Sequence, residues 1–301
     1  GRAGRGVAAR CMAAPPVDLG RPNASSGLFR SIATWVGADE ARQVRLGKDA
    51  AGMYHSQVGQ DYVVISTFSG RRNGTFVDLA ANDPIVFSNT RTLERDFGWT
   101  GTCVEPQLEL VLSIARRRLC RVVHAVVSDD EDGSPVPFQL GRAKGKEGQS
   151  SQHVYSHVVK TTRAGANASK PGVTLMPPVT LRRILEEVDA PRTIDFLSLD
   201  VEGSEDAALL PALPYYTFHA LVVEGPSKKL THALSAHGYS AAITKLGRYT
   251  DQLWVHRFLP GGAQAAGERA NAAWREWQSK THHARMSHGV RALQLKPPDS
   301  Y

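Results

Sequence analysis

Two hydrophobic rhythms alternate along this chain from residue 74 onward. Short runs rich in β-branched and aromatic residues are separated by segments whose apolar side chains recur every three or four positions, which predicts parallel strands joined by helices. GTFVDLA (74–80), TGTCVEP (100–106), RVVHAVVS (121–128), TIDFLSLDVEG (193–203) and FHALVVEGP (218–226) read as five strands of parallel type. Helices are expected between them over 88–98, 107–118, 180–188, 204–213 and up to Gly238, with Ser88 and Ser204 as N-caps and Gly98 as a stop. YSAAITKLG (239–247) and DQLWVHRF (251–258) then close the array as an antiparallel pair.

The rhythm breaks over 129–172, where DDEDG, GRAKGKEG and RAGANASKPG mark loops around the alternating segments PVPFQL and HVYSHVVK. This stretch reads as a β-hairpin insertion. Ahead of the sheet, SGLFRSIATWVGADEARQV (26–44) and SQVGQDYVVISTF (56–68) read as helices. After it, PGGAQAAG (260–267) reads as a linker and ERANAAWREWQSKTHHARM (268–286) as a basic helix whose Trp274 and Trp277 share a face suited to docking. The expected organisation is an extension over 1–50, an α/β domain over 51–259, and a linker with a C-terminal helix and tail over 260–301.

Charge changes this picture only at the ends. The chain of 301 residues carries a net +7, which invites a nucleic-acid partner. Yet residues 51–259 balance 22 basic against 22 acidic side chains, so the whole excess lies in the two termini. A surface that grips phosphates belongs on the folded body, and a neutral body argues against nucleic acid. The basic termini are left as candidate tethers or docking segments for a protein partner. No run approaches the roughly 18 apolar residues of a membrane span.

Cys11, Cys103 and Cys120 are too few and too scattered for a zinc site or a disulfide framework. Cys103 and Cys120 read as small buried hydrophobes, with a disulfide open to them if their strands are neighbours. Sequons at Asn23, Asn73 and Asn167 would matter in a secretory lumen, whereas the Arg- and Ala-rich opening resembles the tail of an organelle transit peptide. The chain opens on Gly, as a fragment or processed form would, and residues 1 to about 26 are expected to be poorly ordered.

Ligands of open parallel sheets bind beyond the carboxyl ends of the strands, where strand order reverses. Acids gather at those ends: Asp78 and Asp83 after the first strand, Glu105 closing the second, Asp129 after the third, Asp200 and Glu202 closing the fourth, and Glu224 closing the fifth. Glu105 is the most informative, because an acid at the tip of the second strand can accept both hydroxyls of a nucleoside ribose. A dinucleotide would need a Gly-rich first turn for its pyrophosphate, and the turn here, DLAANDPIVFSN, has no Gly. A nucleoside cofactor without phosphate tolerates that turn.

FVDLAANDP (76–84), SNTRTLERDFGWTGTCVEP (88–106) and IDFLSLDVEGSE (194–205), with SQVGQD (56–61) before them and DQLWV (251–255) after, resemble the FkbM-type S-adenosylmethionine-dependent methyltransferases. The resemblance spans roughly residues 54–257, and the SNT block matches a eukaryotic-looking branch. The common form of the first motif has Gly where this chain has Ala80, and another small residue where it has Asp83-Pro84.

The resemblance implies a Rossmann-like, seven-stranded methyltransferase sheet with helices on both faces, and methylation of a hydroxyl on a sugar, glycan or other small metabolite. By motif, Asp78, Ala80, Ala81 and Asn82 would line the methionine end of S-adenosylmethionine, Glu105 would hold the ribose, and Val127, Ser128 and Asp129 would meet the adenine. Asn89 and Pro106 would also contact the cofactor. Asp200 would serve both cofactor and reaction.

The cofactor's sulfonium loses its charge as the methyl leaves, so a carboxylate beside it favours the ground state, and rate must come from positioning and from removing the acceptor's proton. Asp200, Glu202 and Glu224 are the candidate bases, Asp61 and His157 the less favoured ones; His153 and His157 read otherwise as an exposed hairpin face. No metal is expected. Two other readings compete: a non-catalytic interaction or trafficking component on the same fold, and an RNA methyltransferase, which the acidic strand ends disfavour.

Overall fold

The computed structural model describes residues 33–35, 54–129, 135–139, 157–158, 172–247 and 250–287, and for 33–35, 157–158 and 282–287 the backbone alone. The extension at 1–26, Cys11 and the sequons at Asn23 and Asn167 lie outside the described residues. Asn73 is exposed, in the turn before the first long strand.

An eight-stranded sheet forms the body. Its strands are β1 (Ala33–Trp35), β2 (Thr75–Leu79), β3 (Thr100–Glu105), β4 (Arg121–His124), β10 (Thr193–Leu199), β11 (Thr217–Val223), β12 (Tyr239–Leu246) and β13 (Asp251–His256), in the order β1-β4-β3-β2-β10-β11-β13-β12. β4, β3, β2, β10 and β11 are parallel neighbours, and β13 and β12 close the sheet antiparallel, as the sequence implies. Strand order reverses between β2 and β10. Without β1, the sheet has the expected seven strands.

Alternation within each strand supplies two cores. Phe76, Cys103, Val122 and Phe196 point to one face, beneath α1 (Gln60–Thr67), α2 (Arg91–Phe97), α3 (Leu108–Arg117) and α7 (Ala263–Ser287). Val77, Val104, Val123 and Leu197 point to the other, beneath α4 (Leu181–Glu187), α5 (Glu205–Leu209) and α6 (Lys228–Ala236). Burial on both faces is why these strands read as nearly continuous apolar runs. Cys103 on β3 and Cys120, just ahead of the neighbouring β4, are disulfide-bonded, with Cα atoms 6.1 Å apart.

The caps agree with the sequence in part. Ser88 Oγ accepts the Arg91 amide at 3.1 Å, and Gly98 ends α2 at φ 67°. Ser204, by contrast, makes no side-chain cap bond. The helix expected over 204–213 is only Glu205–Leu209, because Pro211 lacks the amide hydrogen needed to continue it.

Three further segments depart from expectation. Residues 33–35, expected in a helix, form β1, antiparallel to β4 from Ala33↔His124 to Trp35↔Val122. The open edge of β4 offers unpaired backbone groups, and satisfying them outweighs a helical periodicity. The strand expected over 121–128 breaks at Ala125, after which β5 (Val126–Val127) pairs with β9 (Pro178–Val179). The insertion contains the expected antiparallel pair, β6 (Val136–Gln139) with β7 (His157–Val158), and adds β8 (Val173–Met176) on the other side of β6.

The segment expected as a linker over 260–267 is mostly helix, since α7 begins at Ala263. Its small residues are there for contact: Ala266, Ala270 and Ala273 are buried, and a Cβ on Gly267 would lie 3.6 Å from the Ala242 Cβ. The docking face also behaves as the Trp spacing implies. Trp277 lies against Tyr54 and Tyr62, with ring centroids 5.9 and 5.7 Å away, and so close over Gly59 that a Cβ there would meet the indole at 2.5 Å. Tyr62 donates to Glu276 at 2.6 Å.

A carboxylate-rich candidate active site at the switch point

The reversal between β2 and β10 leaves a crevice above their carboxyl ends, and the loops there are held in unusual conformations. Ala80 and Asn82 after β2, and Glu202 after β10, have φ of 57°, 53° and 55°. Side chains other than Gly rarely occupy this region, and such positions concentrate at functional sites. The Gly of the common motif at position 80 is thus explained by geometry: the turn demands a left-handed residue, and this chain fills it with Ala.

The predicted cofactor residues fall into two groups around that turn. Asp78 is buried, accepts the Thr90 hydroxyl at 2.5 Å, and has its carboxyl pushed up by burial against the opposing pull of Thr90 and Arg118. Asn89 donates to Ser198 at 3.0 Å, and its Oδ1 is the one buried side-chain polar atom among the described residues without a hydrogen-bond partner. Glu105 is also buried and accepts the Asn82 and Gln107 amides, each at 2.9 Å. Burial lifts its carboxyl to about 7 even though both amides hold it down. Ala80 and Pro106 line a small apolar cavity with Val104, Val127 and Phe138.

Ala81 is buried, its amide bonded to the Val104 carbonyl. Ser128 donates weakly to Asp129 at 3.4 Å and its amide bonds the Val179 carbonyl; Asp129 is exposed. Asp83 folds back on the Ile85 and Val86 amides at 2.8 Å each, an ordinary local turn.

The candidate catalytic acids do converge. Asp200, Glu202 and Glu224 each offer a carboxylate oxygen, and these oxygens lie within 4.8 Å of one another. Among the described residues they are the group able to hold a divalent cation, and equally able to share protons. Loss of hydration among the neighbouring acids and a hydrogen bond to Glu224 push the Asp200 carboxyl strongly upward, with Glu202 and Asp251 adding repulsion, although the residue keeps an exposed surface. Glu202 is lifted to about 7, mainly by burial and then by Glu224 and Glu205.

Asp251 was not singled out from the sequence, although its DQLWV block was. At the start of β13 it is buried, accepts the Gln60 side chain at 2.8 Å, and is lifted to about 6 by burial, with Glu224 adding to the shift. Contact between residues 60 and 251 is purely tertiary, so the local sequence carries no signal of it.

Asp61 is not part of this group. It accepts the His55 amide at 2.7 Å, the Ser56 hydroxyl at 2.5 Å and the Thr92 hydroxyl at 2.7 Å, a saturated knot that fixes the entry to α1. His157 sits on β7 with its side chain outside the described residues, as is His153.

A buried ionic network braces the Asp78 side of the crevice. Arg118 donates to Glu94 at 2.5 Å, to Ser88 at 3.0 Å and to Thr90 at 2.8 Å, and Thr90 in turn binds Asp78. Glu94 also accepts the Leu119 and Cys120 amides. Thr90 of the SNT block is therefore the link between a structural ion pair and a site carboxylate, and Ser88 is held by the same arginine. A cavity of about 390 Å³ lies at the outer sheet edge between β12 and α7, and none of the clustered acids lines it.

An open parallel sheet covered on both faces, closed by an antiparallel pair and carrying acids at its switch point, defines a Rossmann-like α/β fold. More narrowly, the chain belongs to the FkbM methyltransferase domain family, whose model matches residues 78–230. Among solved structures it is similar to a precorrin-6y C5,15-methyltransferase from Geobacter metallireducens, with 10% identity over 65% of this chain and 84% of that one and a TM-score of 0.33. A methyltransferase from Pyrococcus furiosus is similar at 15% identity over 71% of this chain and 95% of that one, with a TM-score of 0.32. No curated protein matches the sequence. No helix among the described residues is long and apolar enough to cross a membrane.

Proposed function

We propose that this methyltransferase uses S-adenosylmethionine and transfers its methyl group to a hydroxyl of a sugar, glycan or other small metabolite. The observation that carries the reading is the convergence of Asp200, Glu202 and Glu224 within 4.8 Å beside the switch point. Bound there, the cofactor supplies an electrophilic methyl on sulfur. The residues around the crevice fit it in kind: an unpaired Asn89 Oδ1 for a donor such as an ammonium, Glu105 for ribose hydroxyls, and apolar walls at Ala80, Val104 and Val127 for a base.

Proton chemistry follows from the unequal environments of the acids. Asp200 holds its proton at neutral pH and, bonded to Glu224, serves as a donor that orients its neighbour. Glu202, lifted to about 7, is poised to accept a hydroxyl proton, which suits a general base contributing on the order of 10²–10⁴-fold. The hydrophobic wall and the neutral charge of residues 51–259 favour an uncharged acceptor over a nucleic acid.

Calorimetric titration of the protein with S-adenosylmethionine tests the reading. Binding that weakens at least tenfold in Glu105→Ala is expected; a folded protein that binds none sinks the enzyme reading and leaves the non-catalytic one. For the base, Glu202→Gln should abolish the rising limb of rate against pH near 7 while leaving cofactor affinity within about twofold.

A further inference from the structure

The small sheet of β6, β7 and β8 is separate from the main sheet. Along β6 only Phe138 is buried, at 3% exposure, while β8 has no buried position and exposes Leu175. Phe138 is thus the buried contact that β6 makes among the described residues. Its ring forms one wall of a cavity lined also by Ala80, Val104, Pro106 and Val127, at the carboxyl ends of β2, β3 and β5, and the space enclosed is about 30 Å³. That is room for a water or two, whereas pockets that enclose a ligand run to about 300 Å³ or more. The walls are apolar and lie next to Glu105, the acid positioned for a ribose, so the cavity has the chemistry of a nucleobase seat and lacks only the space.

Resting on the reading that the chain binds S-adenosylmethionine, we propose that Phe138 fills the seat of the cofactor's purine and, when displaced by it, becomes the aromatic wall on which the purine stacks. Phe138 thereby sets both how fast the cofactor enters and how tightly it stays. The alternative inside the same geometry is a plain anchor, which would affect stability and leave cofactor kinetics alone. A purine face against a phenyl ring is worth enough that its loss weakens binding by about tenfold or more. A side chain that must first vacate the seat also slows association.

Stopped-flow binding of S-adenosylhomocysteine, with urea unfolding of each variant alongside, separates these. Phe138→Ala should associate faster, dissociate faster still, and bind about tenfold more weakly. Phe138→Leu keeps an apolar anchor of similar bulk and should retain stability while losing several-fold in affinity, chiefly through dissociation. Phe138→Trp should report entry directly, as a change in its fluorescence on adding adenosine that methionine alone does not produce. Wild-type rate constants in both Phe138→Ala and Phe138→Leu overturn the proposal while the methyltransferase reading stands. A wild-type protein that binds neither S-adenosylhomocysteine nor adenosine overturns both.

Discussion

Ala80→Gly should make the protein more stable, against the usual direction for a glycine placed in a folded chain. Ala80 is held at φ 57°, where a Cβ crowds the following carbonyl at a cost of about 1–2 kcal/mol. Glycine removes that cost and gives back ~0.5–1 kcal/mol in the freedom of its unfolded chain. Ala80 is half-buried, so its methyl forfeits a few tenths of the ~0.8 kcal/mol of a fully buried carbon. The balance is a gain of about 0.5 kcal/mol, with a ceiling near 1, or about 1–4 °C in melting temperature for a domain of this size. Ala80→Val is the partner experiment, because a β-branched residue resists this region most and should lose about 1–2 kcal/mol or more. Urea unfolding with unchanged m-values reads both. Loss of stability in the glycine variant, or a neutral valine, would refute the claim that the turn demands a left-handed residue.

Arg118→Met removes the closer of the two cations paired with buried Glu94, leaving Arg91 at 3.6 Å, and should cost about 3 kcal/mol in chemical denaturation, far more than an exposed pair such as Arg183–Glu187. Glu105 is lifted in the folded state from 4.5 to about 7, so the native protein holds a proton that the unfolded chain has released. Stability should therefore fall as pH rises from 4.5 towards 7, by up to about 3 kcal/mol from this residue, and Glu105→Gln should flatten that slope in denaturation series. Denatured without reductant, the chain should show one titratable thiol, Cys11, where reduction exposes three, and reduction should lower stability by about 3 kcal/mol through the loop between Cys103 and Cys120.

The parallel strands were legible because both of their faces are buried, which leaves long apolar runs such as FLSL in β10 and LVV in β11 that few other elements produce. Acids at their carboxyl ends were legible for a related reason: a strand tip is one of the few places where position in the sequence implies position in space. What could not be read is what tertiary contact decides. Ala33–Trp35 is three residues long and owes its form to the edge of β4. Gly267 reads as part of a linker, yet it lies inside α7 against β12, where a Cβ would sit at ordinary contact distance, 3.6 Å from the Ala242 Cβ. Asp61 and Asp251 both belong to quoted motifs, and nothing local distinguishes the one that knots a turn from the one that joins the acids. Phe138 is one apolar residue in a polar insertion, and only the fold shows where its ring goes.

The seat of Trp277 against Tyr54, Tyr62 and Gly59 has a practical meaning for anyone trimming this protein. α1 uses one side to receive the indole and, through Gln60, holds Asp251 among the acids. The stretch matched by the family, 78–230, contains neither partner of that arrangement, and a cut at 259 would strip the aromatic seat bare. A fragment drawn to the borders of sequence similarity would carry Asp78, Glu105, Asp200, Glu202 and Glu224 and lose Asp251 together with the Gln60 that holds it.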